Sequence, residues 1–333
     1  MIFNDFCGNL IDLLFLNHNK DIIPFPIVFT NIRFLQGMKK WYSEKVENDQ
    51  IKKISEGDIE FPNCLRAIPS RPKQIYYRGN INIAAPCAAI VGARVPSTYG
   101  KQAAHDIAAG LARAGVCIVS GMAPGIDTIA HLAALECGGP TCGVIGAGLD
   151  KESFFPQTNL GLAEKMVDAG GCLVSEYAPG FKSVYYSFPQ RNRIIAGLSL
   201  AVIVIEAKEK SGSLITAEWG RKQHKPVFAV PGSIYSTSSA GCNRLLKNGA
   251  AACTGAEDVL NFLGLAATGT KTAAKSENPD EQKILDALRQ GALNADKIIR
   301  AAGLPAAAVM SLLPIMEING AIRNLGNGEY CLN

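Results

Sequence analysis

Residues 185–193 read Tyr-Tyr-Ser-Phe-Pro-Gln-Arg-Asn-Arg and place in one short stretch the side-chain types that hold an unpaired nucleic-acid strand. Arg191 and Arg193 offer guanidinium groups to a phosphate backbone, Asn192 adds an amide, and Tyr185 and Phe188 present flat faces on which bases stack. Lys182 supplies a further cation just upstream. The same arginines could instead tie a loop to Glu176 or Glu206, each of which closes an apolar run, with Phe188 in the core.

A second feature is the glycine-punctuated turn Ser-Gly-Met-Ala-Pro-Gly at 120–125, between an apolar run and a helical pattern. Ser120 and Gly121 end the run, Gly125 lets backbone approach a ligand with no Cβ in the way, and the next residues begin a helix whose free amides attract an anion. Phosphate is the natural occupant. Two more turns repeat the pattern: 92–101, with Arg94 directly after an apolar run, and 208–220, where Ser211, Gly212 and Ser213 can cap a helix beside Lys208 and Lys210. Three such turns on one sheet edge predict a row of phosphate seats.

Other chemistries fail on spacing. Gly92 to Lys101 is too long for a Walker loop and Gln102 follows the lysine, while Gly-Ala-Gly-Leu-Asp-Lys at 146–151 lacks the third glycine of a dinucleotide fingerprint, so no cofactor is expected. There is no CxxC or HExxH pair, the four histidines lie far apart, and no metal site is expected. Asp127 and His131, one helical turn apart, could orient a base, but a carboxylate in a first turn beside a satisfied histidine explains them as well. Glu176 and Glu206 could act as acid or base, or accept hydrogen bonds from loop amides.

These residues need a scaffold, and the pattern of the chain supplies one. Between 88 and 262, six short apolar runs alternate with helical patterns, as in a parallel sheet covered on both faces. The fold class expected is α/β: a Rossmann-like, doubly wound, mostly parallel sheet. Residues 265–278 read as a linker, and 279–333 as a small winged-helix-like domain of three helices and a hairpin around Gly326 to Gly328, with Pro314 bending the third helix or ending it early. That helix has no Lys or Arg between 305 and 318, which favours contact with protein over reading a DNA groove. Residues 1–57 read as a short N-terminal helical segment without an assignable role.

Composition sets the outer limits. The 333 residues are 48% apolar, enough for a full core, and no uninterrupted apolar run reaches the roughly 18 residues of a membrane span. The start lacks a signal-peptide pattern, so a cytoplasmic location is expected, and the ten scattered cysteines read as small core residues of a reducing compartment. Net charge is only +4, so any nucleic-acid binding must work through a local patch.

The ordered motifs from Asp58 to Asp258 resemble those of the DNA-processing protein A (DprA, or Smf) family: "AIVGARVPSTYG" at 89–100, "SGMAPGIDTIAH" at 120–131, "FPQRNRIIAGLS" at 188–199, "EAKEKSGSLITAEWG" at 206–220 and "GCNRLLKNGA" at 241–250. The resemblance implies an extended Rossmann-like domain over 58–264 in a non-enzymatic protein that binds single-stranded DNA, usually as a homodimer, and loads the RecA recombinase onto it during natural transformation. By motif position it places the DNA pocket on Arg94, the Ser120 to Gly125 turn, Phe188, the Arg191 to Arg193 segment and the Lys210 to Gly212 turn. Two positions depart from the family pattern. Tyr185 stands where a basic residue is common, with Lys182 the nearest substitute, and Pro124 where an arginine is frequent. The alternative is a Rossmann-like nucleotide-binding protein or phosphoribohydrolase, with Glu206 or Glu218 as the acid, although the PGGxGTxxE loop of such enzymes is missing.

Overall fold

The computed structural model describes residues 50–83, 85–265, 278–289, 291, 293–326 and 328–332. The expected N-terminal segment lies outside the described residues up to residue 49, as does nearly all of the expected linker.

The central sheet has nine strands: β1 (Lys52–Ser55), β2 (Gln74–Gly79), β3 (Cys87–Gly92), β4 (Cys117–Ser120), β5 (Thr141–Ile145), β6 (Cys172–Ser175), β7 (Ala201–Ile205), β8 (Val227–Ala229) and β9 (Ala251–Ala252). Their order is β1-β2-β6-β5-β4-β3-β7-β8-β9. β3 to β9 pair in parallel, whereas β2 joins β6 antiparallel and β1 joins β2 antiparallel. The sheet thus takes in Lys52–Ser55, ahead of residue 58, where the motif resemblance starts the domain. β1 reads Lys-Lys-Ile-Ser, with Ile54 as its one apolar residue, as a solvated edge strand can, so no run of apolar residues announces it.

Seven helices cover the sheet after the one-turn α1 (Asn63–Arg66): α2 (Thr98–Arg113), α3 (Ile126–Glu136), α4 (Leu160–Asp168), α5 (Ser187–Leu198), α6 (Ser213–Lys222), α7 (Ala240–Lys247) and α8 (Ala256–Phe262). Strand side chains alternate between two layers. Val144, Val174, Val202 and Val204 pack with Ile194 of α5, Ala217 of α6 and Leu245 of α7. Ile90, Ile118, Ile203 and Ile205 pack with Ala108 and Leu111 of α2, Ala130 of α3 and Val259 of α8. Continuous burial on both faces is why these strands read as unbroken apolar runs. α2 shows how locally such an element is specified. Ser97 caps its start by accepting from the Gly100 amide at 3.1 Å, and Gly115 at φ +79° ends it.

The C-terminal unit holds α9 (Pro279–Leu288), β10 (Leu293–Asn294), α10 (Ala295–Ala302), α11 (Ala306–Ile318), β11 (Ile322–Gly326) and β12 (Glu329–Leu332). Asn278 and Asn294 cap α9 and α10, each accepting from a backbone amide at 3.0 Å. Pro314 does not end α11, which runs on to Ile318. The proline removes one helical hydrogen bond, but Val309, Leu313 and Met316 are buried in a shared core with Ile284, Leu288 and Ile298 and hold the helix past it. Met310, Ile315 and Ile318 stand exposed on the outer side of α11. The strands β11 and β12 meet the sheet domain through polar groups: Thr98 donates to Glu329, and Glu136, which His105 Nε2 contacts at 2.8 Å, lies 3.9 Å from Arg323. Among the described residues no single helix is long and apolar enough to cross a membrane, and no cluster of His, Cys, Asp or Glu is placed to hold a metal ion.

Candidate nucleic-acid interface

The strand order reverses between β3 and β7, and at that point the loops leaving the carboxyl ends of neighbouring strands diverge and open a crevice. A cavity of about 1020 Å³ occupies it, lined by Gly92 at the end of β3 and Arg94 after it, by Tyr185, Phe188, Pro189, Arg191 and Asn192 around the start of α5, and by Lys210 to Thr216 after β7. Two of the three expected phosphate seats therefore meet here, joined by the aromatic segment.

The third expected seat is filled from inside. Asp127, buried in the first turn of α3, accepts from the Gly121 amide at 3.1 Å and the Ala123 amide at 3.3 Å, so the turn at 120–125 encloses its own carboxylate. Ser120 Oγ donates to the Ile90 carbonyl at 2.5 Å and is also buried. Burial raises the Asp127 carboxyl against the opposing charge of Arg191. Gly121 is required because Arg191 and Asp127 both crowd its Cα, where a Cβ would stand 2.5 Å from Arg191 Nη2 and 2.8 Å from Asp127 Oδ2. Arg191 itself is 6% exposed; it donates to Gly121 O at 2.5 Å, to Val144 O, and to Asn192 Oδ1 at 3.1 Å. Its guanidinium, which burial depresses to about 10, is a strut under the cavity floor. Arg193 is turned away, forking onto Glu176 with both contacts at 2.7 Å and onto the Ser70 carbonyl at 2.7 Å, and it does not line the cavity. Of the two uses open to these arginines, the structure thus displays scaffolding for both.

Glu206 does the same for the first loop. At φ +49° it accepts from the Ser97 amide at 2.8 Å, the Ser97 hydroxyl at 2.5 Å and the Ser238 hydroxyl at 3.0 Å. This clamps the segment that presents Arg94, leaving Arg94 itself exposed with its guanidinium 5.9 Å from the centre of the Phe188 ring. Tyr185, 91% exposed, and Phe188 line the cavity, and Phe155 joins them with its ring 5.6 Å from that of Phe188. Phe155 was invisible as a site residue in the sequence; its position just beyond a β5 loop, where crevice-lining residues occur, is the signal that could have found it. Asn192 donates to the Gly212 carbonyl at 3.3 Å and so fixes the Lys210 to Gly212 turn against α5. Ser211 and Ser213 share a hydroxyl contact at 2.8 Å, and Lys210 is exposed on the rim. Lys182 is exposed but does not line the cavity. The arrangement combines exposed cations, three aromatic rings and a polar loop along one crevice, which suits a flexible polyanion with stacking bases.

Two stability predictions arise from the floor. Gly125 stands at φ +84° with the Ala93 and Arg94 carbonyls where a Cβ would be, so Gly125→Ala is expected to lose about 1–3 kcal/mol in urea unfolding. A loss below the measurement error would show the turn to be free to relax. His131 is fully buried; Thr141 donates to the Ile118 carbonyl, so His131 Nδ1 donates to Thr141 at 2.6 Å and Nε2 is left without a hydrogen-bond partner. Burial lowers its pKa to about 3. Between that value and the ordinary value near 6.5 the unfolded chain binds the extra proton, so this stability is complete above about pH 6.5 and is lost as pH falls toward 3. Comparing urea midpoints of the native chain and His131→Asn across that range should show the difference shrinking toward acid; a constant difference would contradict it.

Comparison with known proteins extends these observations. Residues 52–264 match the family described as DNA recombination-mediator protein A, and residues 268–328 match the DprA winged helix domain. The DNA processing protein DprA of Streptococcus pneumoniae is 44% identical over 201 residues, 60% of this chain and 70% of the relative. Its crystal structure superposes with a TM-score of 0.60 at 40% identity, covering 69% of this chain and 79% of that one. A structure of DNA processing protein A from Helicobacter pylori, described for its single-stranded DNA binding mode, gives a TM-score of 0.58 at 32% identity and covers 65% and 96%.

Proposed function

Because the chain belongs to the DNA recombination-mediator protein A family, we propose that it binds single-stranded DNA in the crevice between β3 and β7 and delivers that strand to a RecA recombinase. The observation that carries this reading is that Arg94, Tyr185, Phe155, Phe188 and Lys210 line one cavity, with cations for the backbone and rings for unpaired bases. The chain acts without a catalytic step of its own. Of the two acids that a phosphoribohydrolase reading could use, Glu206 is engaged by Ser97 and Ser238, and Glu218 pairs with Lys222 at 2.8 Å. It works as a homodimer in the cytoplasm, in the recombination that accompanies DNA uptake and competence, and α11, apolar and without Lys or Arg, makes protein contact.

A gel shift with a single-stranded oligonucleotide should give a complex that duplex of the same sequence competes for poorly; equal binding to duplex would overturn the reading. RecA strand exchange on an oligonucleotide coated with single-strand-binding protein should start sooner with this chain present, and no acceleration would remove the delivery role. Substituting Arg94 by Ala should weaken oligonucleotide binding and flatten the log–log salt dependence by about 0.7, one phosphate contact on a single strand.

A further inference from the structure

Resting on that reading, we infer that the strand's path continues beyond Gly212 along α6 to a second backbone-gripping step formed by Arg221 and Arg244. Both residues line the same cavity as Arg94, from the last turn of α6 and from α7. Arg221 Nη2 donates to the Leu245 and Asn248 carbonyls at 3.4 and 3.0 Å, and Arg244 Nη2 to the Glu209 carbonyl at 2.9 Å. These bonds hold the two guanidinium groups in place without neutralising them. Each retains further N–H donors, both residues are exposed, and among the described residues neither has an ion-pair partner.

Two carboxylates, Glu209 and Glu218, line this part of the cavity as well. Glu218 is engaged with Lys222 at 2.8 Å, so two unpaired guanidinium groups face one uncommitted carboxylate. The three aromatic rings of the lining come instead from the loop after β5 and from the segment around the start of α5. Planar donor forks without a stacking partner suit phosphate oxygens and carry no base preference. From Ser213 to Arg221 the helix advances about 12 Å at its rise of ~1.5 Å per residue, roughly three phosphate steps at the ~3.4 Å spacing of a duplex strand and fewer on a more extended one, in addition to the nucleotides held at Arg94 and the three rings. A short oligonucleotide held at Arg94 and the rings would therefore not reach this step, whereas a longer one would.

The test compares oligothymidylates of about four and about twelve nucleotides, within the range of single-strand site sizes, in a salt series. Arg221→Ala with Arg244→Ala should flatten the log–log slope for the longer oligonucleotide by about 1.4, two contacts at ~0.7 each, and leave the shorter unchanged. Arg221→Gln with Arg244→Gln keeps donors for the carbonyls and should give the same result if the alanine pair disturbs α7. Unaltered slopes at both lengths, or equal losses at both, would overturn the inference. If the native chain bound both oligonucleotides and lost affinity on Arg94→Ala, only the extended path would fall; if it bound neither, the single-strand reading itself would fall with it.

Discussion

Arg191→Met is expected to lower the unfolding free energy by about 3–5 kcal/mol, the loss typical of breaking a buried charged pair from one side. The methionine has nearly the length of the arginine but no donors. It would strand the Gly121 and Val144 carbonyls and remove the charge that offsets the buried Asp127 carboxylate. The comparison with Arg94→Met is decisive, because Arg94 is exposed and that change should leave stability within about 0.5 kcal/mol. Urea unfolding followed by circular dichroism reads both. A loss below about 1 kcal/mol at Arg191 would mean that the cavity floor does not depend on it, and the strut assignment would go.

Tyr185→Ala is expected to weaken single-stranded oligonucleotide binding by roughly 5- to 150-fold, the equivalent of the ~1–3 kcal/mol that one stacked base contributes. Its ring is 91% exposed, so stability should not change. Fluorescence anisotropy on a labelled oligonucleotide gives the affinity. Tyr185→Phe should bind like the native chain, since the face and not the hydroxyl makes the contact; a loss as large as that of alanine would refute stacking. Tyr185→Lys should restore a cation at this position and steepen the log–log salt slope by about 0.7. These outcomes separate the contribution of a ring from that of a charge at this position.

Much of the architecture was legible along the chain. The runs at 88–92, 116–121, 141–146, 172–176 and 200–207 are strands within a residue or two of their observed ends, because a strand buried on both faces must be apolar throughout. Asn278 and Asn294 set the starts of α9 and α10 just as locally, by accepting from amides two or three residues away. Arg94, Tyr185, Phe188, Asn192 and the 210–212 turn do converge on one cavity. The edge strand β1 carries no apolar period to mark it, and Phe155 is marked only by its place after β5, not by neighbouring cations as Phe188 is.

The two arginines of 187–193 mark where sequence reasoning stopped. Residue types and spacing determined a doubly wound sheet with its loops at the carboxyl ends of the strands, because periodicity and glycine placement act over a few residues. Which loop amides remain free to meet a ligand depends on groups distant in the chain. Asp127 fills the turn at 120–125, Arg191 reaches Val144 across 47 positions, and Glu176 draws Arg193 away. A guanidinium group has the same chemistry on a surface or under a floor, and only packing in three dimensions decides whether its partner is a phosphate or the protein's own carbonyls.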